Sequence, residues 1–89
     1  MKLLVTTPTS VVLDVEDVTH VRAEDETGAF GILPGHDDFI TVLAISVVTW
    51  RNHRDEEHHV AVRSGVLTVR DGELVEIATR DGEQIGEFT

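Results

Sequence analysis

Apolar and polar side chains alternate along most of this chain. Leu3 and Val5 alternate with Lys2, Leu4 and Thr6, and Val11, Leu13 and Val15 alternate with Val12 and Asp14. The same period runs through Val18–Ala23, His59–Arg63, Val66–Arg70 and Leu74–Thr79. Successive strand residues point to opposite faces, so a period of two predicts strands with one buried face. No window has the i, i+3, i+4, i+7 spacing of an amphipathic helix, and the acidic loop near Asp55 holds the one candidate for a helical turn. Turn signals recur at Thr7–Ser10, Glu24–Gly28, Pro34-Gly35, Asn52–Glu57, Ser64-Gly65 and Asp81-Gly82. Asp71-Gly72 is the strongest hairpin signal, because both residues tolerate positive φ. Eight to ten short strands at this spacing predict an all-β domain, a β-sandwich or flattened barrel.

Composition narrows the picture. With 89 residues, the chain has room for one domain. Residues 1–82 read as that domain. Residues 83–89 read as a tail or linker, in an acidic terminal stretch where only Ile85 and Phe88 are apolar anchors. Seven basic residues against 17 acidic ones leave a formal net charge of −10. Such a surface repels phosphate backbones and anionic lipid, which argues against nucleic acid as a partner. There is no cysteine to staple the fold or hold a metal. No apolar run approaches the ~20 residues of a membrane helix. Thr41–Trp50 is the longest weakly polar stretch, and Ser46 and Thr49 interrupt it. Met1–Val5 is too short for a secretion signal, so a soluble protein that reaches membranes only through protein partners is expected.

Candidate chemistry is sparse. His53, His58 and His59 lie beside Asp55, Glu56 and Glu57, and these residue types can bind zinc. His58 and His59 are adjacent in a predicted strand, however, so they face opposite ways, and a solvated hairpin is expected instead. Ser10, Ser46 and Ser64 lack a G-x-S-x-G context. Carboxylate pairs such as Glu24-Asp25 and Asp37-Asp38 arise readily among 17 acids. Gly28–Gly31 lacks the lysine and helix of a phosphate loop. The expectation is a non-enzyme without metal or cofactor. A stand-alone protein- or metal-binding module is the alternative to a subunit of a larger assembly.

The segment Gly28-Ala29-Phe30-Gly31-Ile32-Leu33-Pro34-Gly35-His36 stands out. Its glycines permit positive φ, Pro34 fixes a turn dihedral, and Phe30, Ile32 and Leu33 are expected to anchor the loop in the core. Such a preformed loop binds a partner at low entropic cost.

This run resembles the epsilon subunit of the F-type ATP synthase, whose pattern is approximately G-x-[FL]-G-I-[LY]-P-G-H-A-P-L-[LI]-T. Gly28, Phe30, Gly31, Ile32, Leu33, Pro34, Gly35, His36 and Thr41 match it. Leu3–Pro8 looks like the family's first strand, and Ser64–Val69 like its G-G-x-L-x-V segment. Asp37-Asp38-Phe39 replaces the usual Ala-Pro-Leu, and with Ser46–Arg51 and Glu57–Val62 this is similar to the divergent N-type branch.

The resemblance implies a ten-stranded flattened sandwich in the central stalk. Such a domain holds no catalytic residue. It binds the gamma subunit and stands on the c-ring at the cytoplasmic face of the bacterial inner membrane, coupling ion flow to ATP synthesis. By this analogy Gly28, Phe30, Gly31, Ile32, Leu33, Pro34, Gly35, His36, Asp37 and Asp38 form the partner-binding segment, with its loop and the two aspartates toward the ring. Val47, Val48 and Trp50 are expected to face gamma. The family's C-terminal helical hairpin has no counterpart in these 89 residues, so they are expected to be the β-half of a longer subunit. In isolation, an uncovered gamma-facing surface is expected to drive self-association.

Overall fold

The computed structural model describes residues 1–85, which form eight strands and no helix. These are β1 (Lys2–Thr6), β2 (Val11–Val15), β3 (Val18–Asp25), β4 (Gly28–Ile32), β5 (Phe39–Asn52), β6 (Glu57–Arg70), β7 (Leu74–Thr79) and β8 (Gly82–Ile85). Hydrogen bonding links them in the order β2-β1-β7-β6-β5-β3-β4, with β8 on β6. The acidic stretch read as a tail thus begins with a strand paired to β6, and residues 86–89 lie outside the described residues.

Two long strands turn this path into two layers. The halves of β5 and β6 stay in one register throughout, from Phe39↔Val69 to Arg51↔Glu57. The buried face changes phase midway, however. Leu43 and then Val48 point inward on β5, as do Val62 and Leu67 on β6. An odd separation of five flips the inward side, so the β5–β6 ribbon bends there and passes between layers. One layer holds β2, β1, β7, residues 65–70 of β6 and residues 39–43 of β5. The other holds β8, residues 57–63 of β6, residues 45–52 of β5, β3 and β4. Each layer therefore has five strand segments, and the ten short strands implied by the resemblance are recovered from eight continuous ones.

Ser64 and Gly65 sit at this bend. Sequence reads them as a corner between strands, whereas β6 runs through them unbroken. Ser64 takes φ 68°, Gly65 pairs with Thr79, and the Thr79 hydroxyl donates to the Ser64 carbonyl. A non-glycine residue in the left-handed region costs about 1–2 kcal/mol, partly offset by the entropy glycine would lose. Ser64→Gly is therefore expected to raise stability by roughly 0.5 kcal/mol. A urea midpoint at or below wild type would contradict this account of the bend.

The core lies between the layers. Leu3, Val5, Leu13, Leu67, Val69, Val75 and Ile77 enter it from one side, and Val18, Val21, Ala23, Ile32, Val48, Trp50, Val60 and Val62 from the other. The burial of both Val18 and Val21 breaks strict alternation. A register shift between Val18 and His20 absorbs the extra residue, as a bulge does. The Asn52–Glu57 segment forms a hairpin turn rather than a helical one. Asn52 Oδ1 accepts from the amides of Arg54 and Glu56, and Asp55 takes φ 61°, which cannot continue a helix.

Candidate partner-binding surfaces

The nine-residue run and its two aspartates do not form one surface. Gly28 opens β4 at φ 118°, in a tight turn opposite Asp25. Asp25 accepts from the Thr27 amide and hydroxyl and, at 2.9 Å, from the Thr41 hydroxyl. These bonds, Thr27 first and Thr41 next, hold the Asp25 carboxyl below the ordinary carboxylate value. The stabilisation they give is complete above the unfolded aspartate value, about 3.9, and is lost as pH falls through the lower folded value. Asp25→Asn is expected to lie below wild type at neutral pH and to converge on it below about pH 4. Urea midpoints across that range check this, and a gap that does not change with pH would show that the charge contributes nothing.

Farther along β4, Phe30 and Ile32 point into the domain. Phe30 meets Phe39 edge-on at 5.6 Å between centroids, and Phe39 meets the His36 ring at 5.8 Å. Ile32 is fully buried, so it supports the loop from beneath and touches no partner. Leu33 is the reverse: expected in the core, it stands 53% exposed beside Pro34. Gly31 faces outward, and a Cβ there would find only the Val21 carbonyl, at 3.9 Å. Packing within the domain therefore does not require glycine at this position.

The loop tip is built from two turns. Pro34-Gly35 closes with a bond from the His36 amide to the Leu33 carbonyl, and Gly35 takes φ 86°. His36 Nδ1 lies 2.7 Å from the Asp37 carbonyl and donates to it in the tautomer that carries the Nδ1 proton. The Asp71-Gly72 turn, with φ 56° and 64°, packs directly against this loop. The Gly35 amide donates to the Gly72 carbonyl at 2.8 Å, and the Asp71 amide donates to Asp38 Oδ1 at 2.8 Å. Sequence reads Asp71-Gly72 correctly as a hairpin but carries no sign of this docking.

A second surface lies on the outer side of the β1–β7–β6–β5 layer. Register places Thr6, Ala78, Val66 and Val42 in one row, and Leu4, Glu76, Thr68 and Ile40 in the next. Ile40 and Val42 are 70% and 67% exposed. Across the bend, on the other layer, Ile45 and Val47 are also exposed, Ile45 at 79%. Of the eight residues in the two rows only Glu76 is charged, and Asp14 of β2 extends the second row beyond Leu4, so the face is sparsely charged for a chain with 17 acids. Large contiguous apolar patches of this kind mark sites of protein contact. The sequence signal was the weakly polar Thr41–Trp50 stretch, but its phase change hid which members face out. Val47 is exposed as expected of a partner-facing residue. Val48 and Trp50 are buried and cannot face gamma, because they lie beyond the phase change.

The histidines diverge as their strand parity requires. His58 stacks on Trp50 at 4.4 Å, while His59 Nδ1 lies 3.0 Å from the Thr49 hydroxyl on the other face. Among the described residues, no three histidine or carboxylate side chains are placed to hold one metal ion. The ion pairs of Lys2 with Asp14 and of Arg51 with Asp55 and Glu57 are exposed and contribute little. No helix here is long and apolar enough to cross a membrane.

The fold is thus a two-layer β-sandwich with one sparsely charged outer face and a turn-built tip. The family model of the ATP synthase Delta/Epsilon chain, beta-sandwich domain, matches residues 1–85, and the chain belongs to that family. It is 44% identical over 82 residues to "ATP synthase epsilon chain 2" of Paraburkholderia xenovorans, covering 92% of this chain and 59% of that protein. It is 43% identical over 81 residues to the protein of the same name from Cereibacter sphaeroides, covering 91% and 56%. The chain thus spans under two thirds of the length of these relatives. A chain in the mitochondrial ATP synthase of Euglena gracilis shares the fold, with a TM-score of 0.85 at 22% identity over 92% of this chain and 51% of that one. A chain in the central stalk and c-ring structure from Tetrahymena thermophila does so at 0.76 and 15%, over 91% of this chain and 63% of that one. The epsilon chain is a non-catalytic subunit type, which agrees with the expectation of a non-enzyme.

Proposed function

We propose that this chain is the β-domain of an epsilon-type rotor subunit that transmits torque in an F-type ATP synthase. The sparsely charged double row on the β1–β7–β6–β5 layer is the gamma-binding face. The tip formed by Leu33, Pro34, Gly35, His36, Asp37 and Asp38 stands on the c-ring, and its exposed acidic surface meets basic and polar groups on the ring's rim. The domain thereby couples ion movement through the ring to ATP synthesis at the cytoplasmic face of the bacterial inner membrane, with no bond made or broken on it. Residues 1–85, through β8, carry this role.

The observation that carries the reading is the sparse charge and the exposed apolar side chains of this face. An acidic chain that exposes Ile40, Val42 and Val66 together on one sheet face has a surface suited to burial. Tagged chain mixed with purified gamma and c-ring tests it. Gamma is expected to copurify with the chain, and the ring with the pair. Recovery no better than an untagged control would end the assignment.

A further inference from the structure

We infer that the Asp71-Gly72 hairpin is the second half of the ring-facing tip, and that Asp38 is a positioning residue that holds it there rather than a charge that touches the ring. The inference rests on the rotor reading above, but its structural half stands on the isolated chain.

The two turns exchange bonds in both directions. The first turn donates through the Gly35 amide to Gly72, and the second donates through the Asp71 amide to Asp38. Between these bonds the backbones touch. Gly72 is buried although it lies in a hairpin turn. A Cβ on Gly72 would sit 2.6 Å from Gly35 Cα and 3.0 Å from its C and N. Two glycines with positive φ, packed face to face, leave no room for either turn to move alone. The position of Pro34-Gly35-His36 is therefore set by a hairpin more than thirty residues away in sequence. Asp38 is exposed like Asp37, but its carboxylate oxygen that accepts from Asp71 is committed to that bond, while the Asp37 side chain is exposed at the tip. Asp71 joins it there, also exposed. The partner-facing surface thus includes Asp37 and Asp71 from two separate turns, locked in one geometry before the partner arrives.

The test compares Asp38→Ala with Asp38→Asn in the full chain. An asparagine oxygen still accepts from the Asp71 amide, while alanine cannot. In Asp38→Ala, the amides of both Asp71 and Gly35 are expected to exchange with solvent about tenfold faster. In Asp38→Asn both stay near wild type. Affinity for a detergent-solubilised c-ring carrying gamma is expected to follow the same split, with about a tenfold loss for alanine and little for asparagine. Gly72→Ala is expected to accelerate Gly35 exchange as well. Gly28→Ala, which also has positive φ but nothing within 4 Å of its Cβ, is expected to leave Gly35 unchanged. If Asp38→Ala frees Asp71 but not Gly35, the two turns are not one unit and the inference falls. If asparagine weakens ring binding as much as alanine, the Asp38 charge contacts the ring and positioning is wrong. If the wild-type chain binds no ring at all, the rotor reading fails while the exchange data still decide the two-turn unit.

Discussion

Gly65→Ala is expected to lower the unfolding midpoint by roughly 10–20 °C, although it adds only one methyl group. The added Cβ would lie 2.5 Å from the Ala78 carbonyl oxygen and 3.1 Å from Thr79 Cα and Cβ. Both neighbours belong to β7, which is held between β6 and β1, so no flexible side-chain end can give way. Relief requires β6 and β7 to separate at the bend. That also strains the Gly65↔Thr79 pair and the Thr79 bond to Ser64. The combined cost is about 3 kcal/mol, a large share of the roughly 5–13 kcal/mol a chain of this size has. Gly31→Ala is the control, because its Cβ meets nothing closer than 3.9 Å. Thermal unfolding of the two variants side by side checks the argument, and equal midpoints would refute it.

A charge placed at Val42 is expected to weaken gamma binding by about 30-fold or more without unfolding the domain. Val42 pairs with Val66 at the β5 end of its row, among apolar and hydroxyl neighbours, and is already two-thirds exposed. In the free chain, Val42→Lys or Val42→Asp places its charge in water, so the midpoint is expected to stay within about 4 °C of wild type. In the complex, that charge is buried against apolar groups without a partner, which costs several kcal/mol. Both signs of charge are expected to fail, which separates loss of apolar contact from simple attraction or repulsion. Titration of labelled gamma into each variant measures the effect. Wild-type affinity in either variant would move the gamma site off this face.

The same substitutions bear on self-association. An isolated chain with this face uncovered is expected to form dimers or larger species, and Val42→Asp to restore a monomer in sedimentation.

Most strands are legible because one face of each is buried. Leu3 and Val5, Val60 and Val62, Leu67 and Val69, and Val75 and Ile77 show the period of two and point inward as a pair. The hairpin at Asp71-Gly72 is equally legible, since few residue pairs take two positive φ angles in succession. Legibility fails where the pattern changes phase. Between Leu43 and Val48 the β5 side chains read as a plain apolar run, which assigned Val48 and Trp50 to a partner although both are core. Leu33 misleads in the opposite direction, because an apolar side chain beside a turn looks like an anchor when it is exposed.

The sequence by itself determined the all-β class, the positions of most turns and the Pro34-Gly35-His36 loop. These depend on alternation and on the dihedral preferences of glycine and proline, both local properties of the chain. Only the tertiary structure decided that β5 and β6 serve both layers, that Gly72 packs on Gly35, and that Thr6, Leu4, Ala78, Val66, Val42 and Ile40 share one outer face. Those are contacts between residues distant in the chain, set by strand register and by the bend at Ser64-Gly65. Side-chain type alone carries no record of which distant backbone lies beside it.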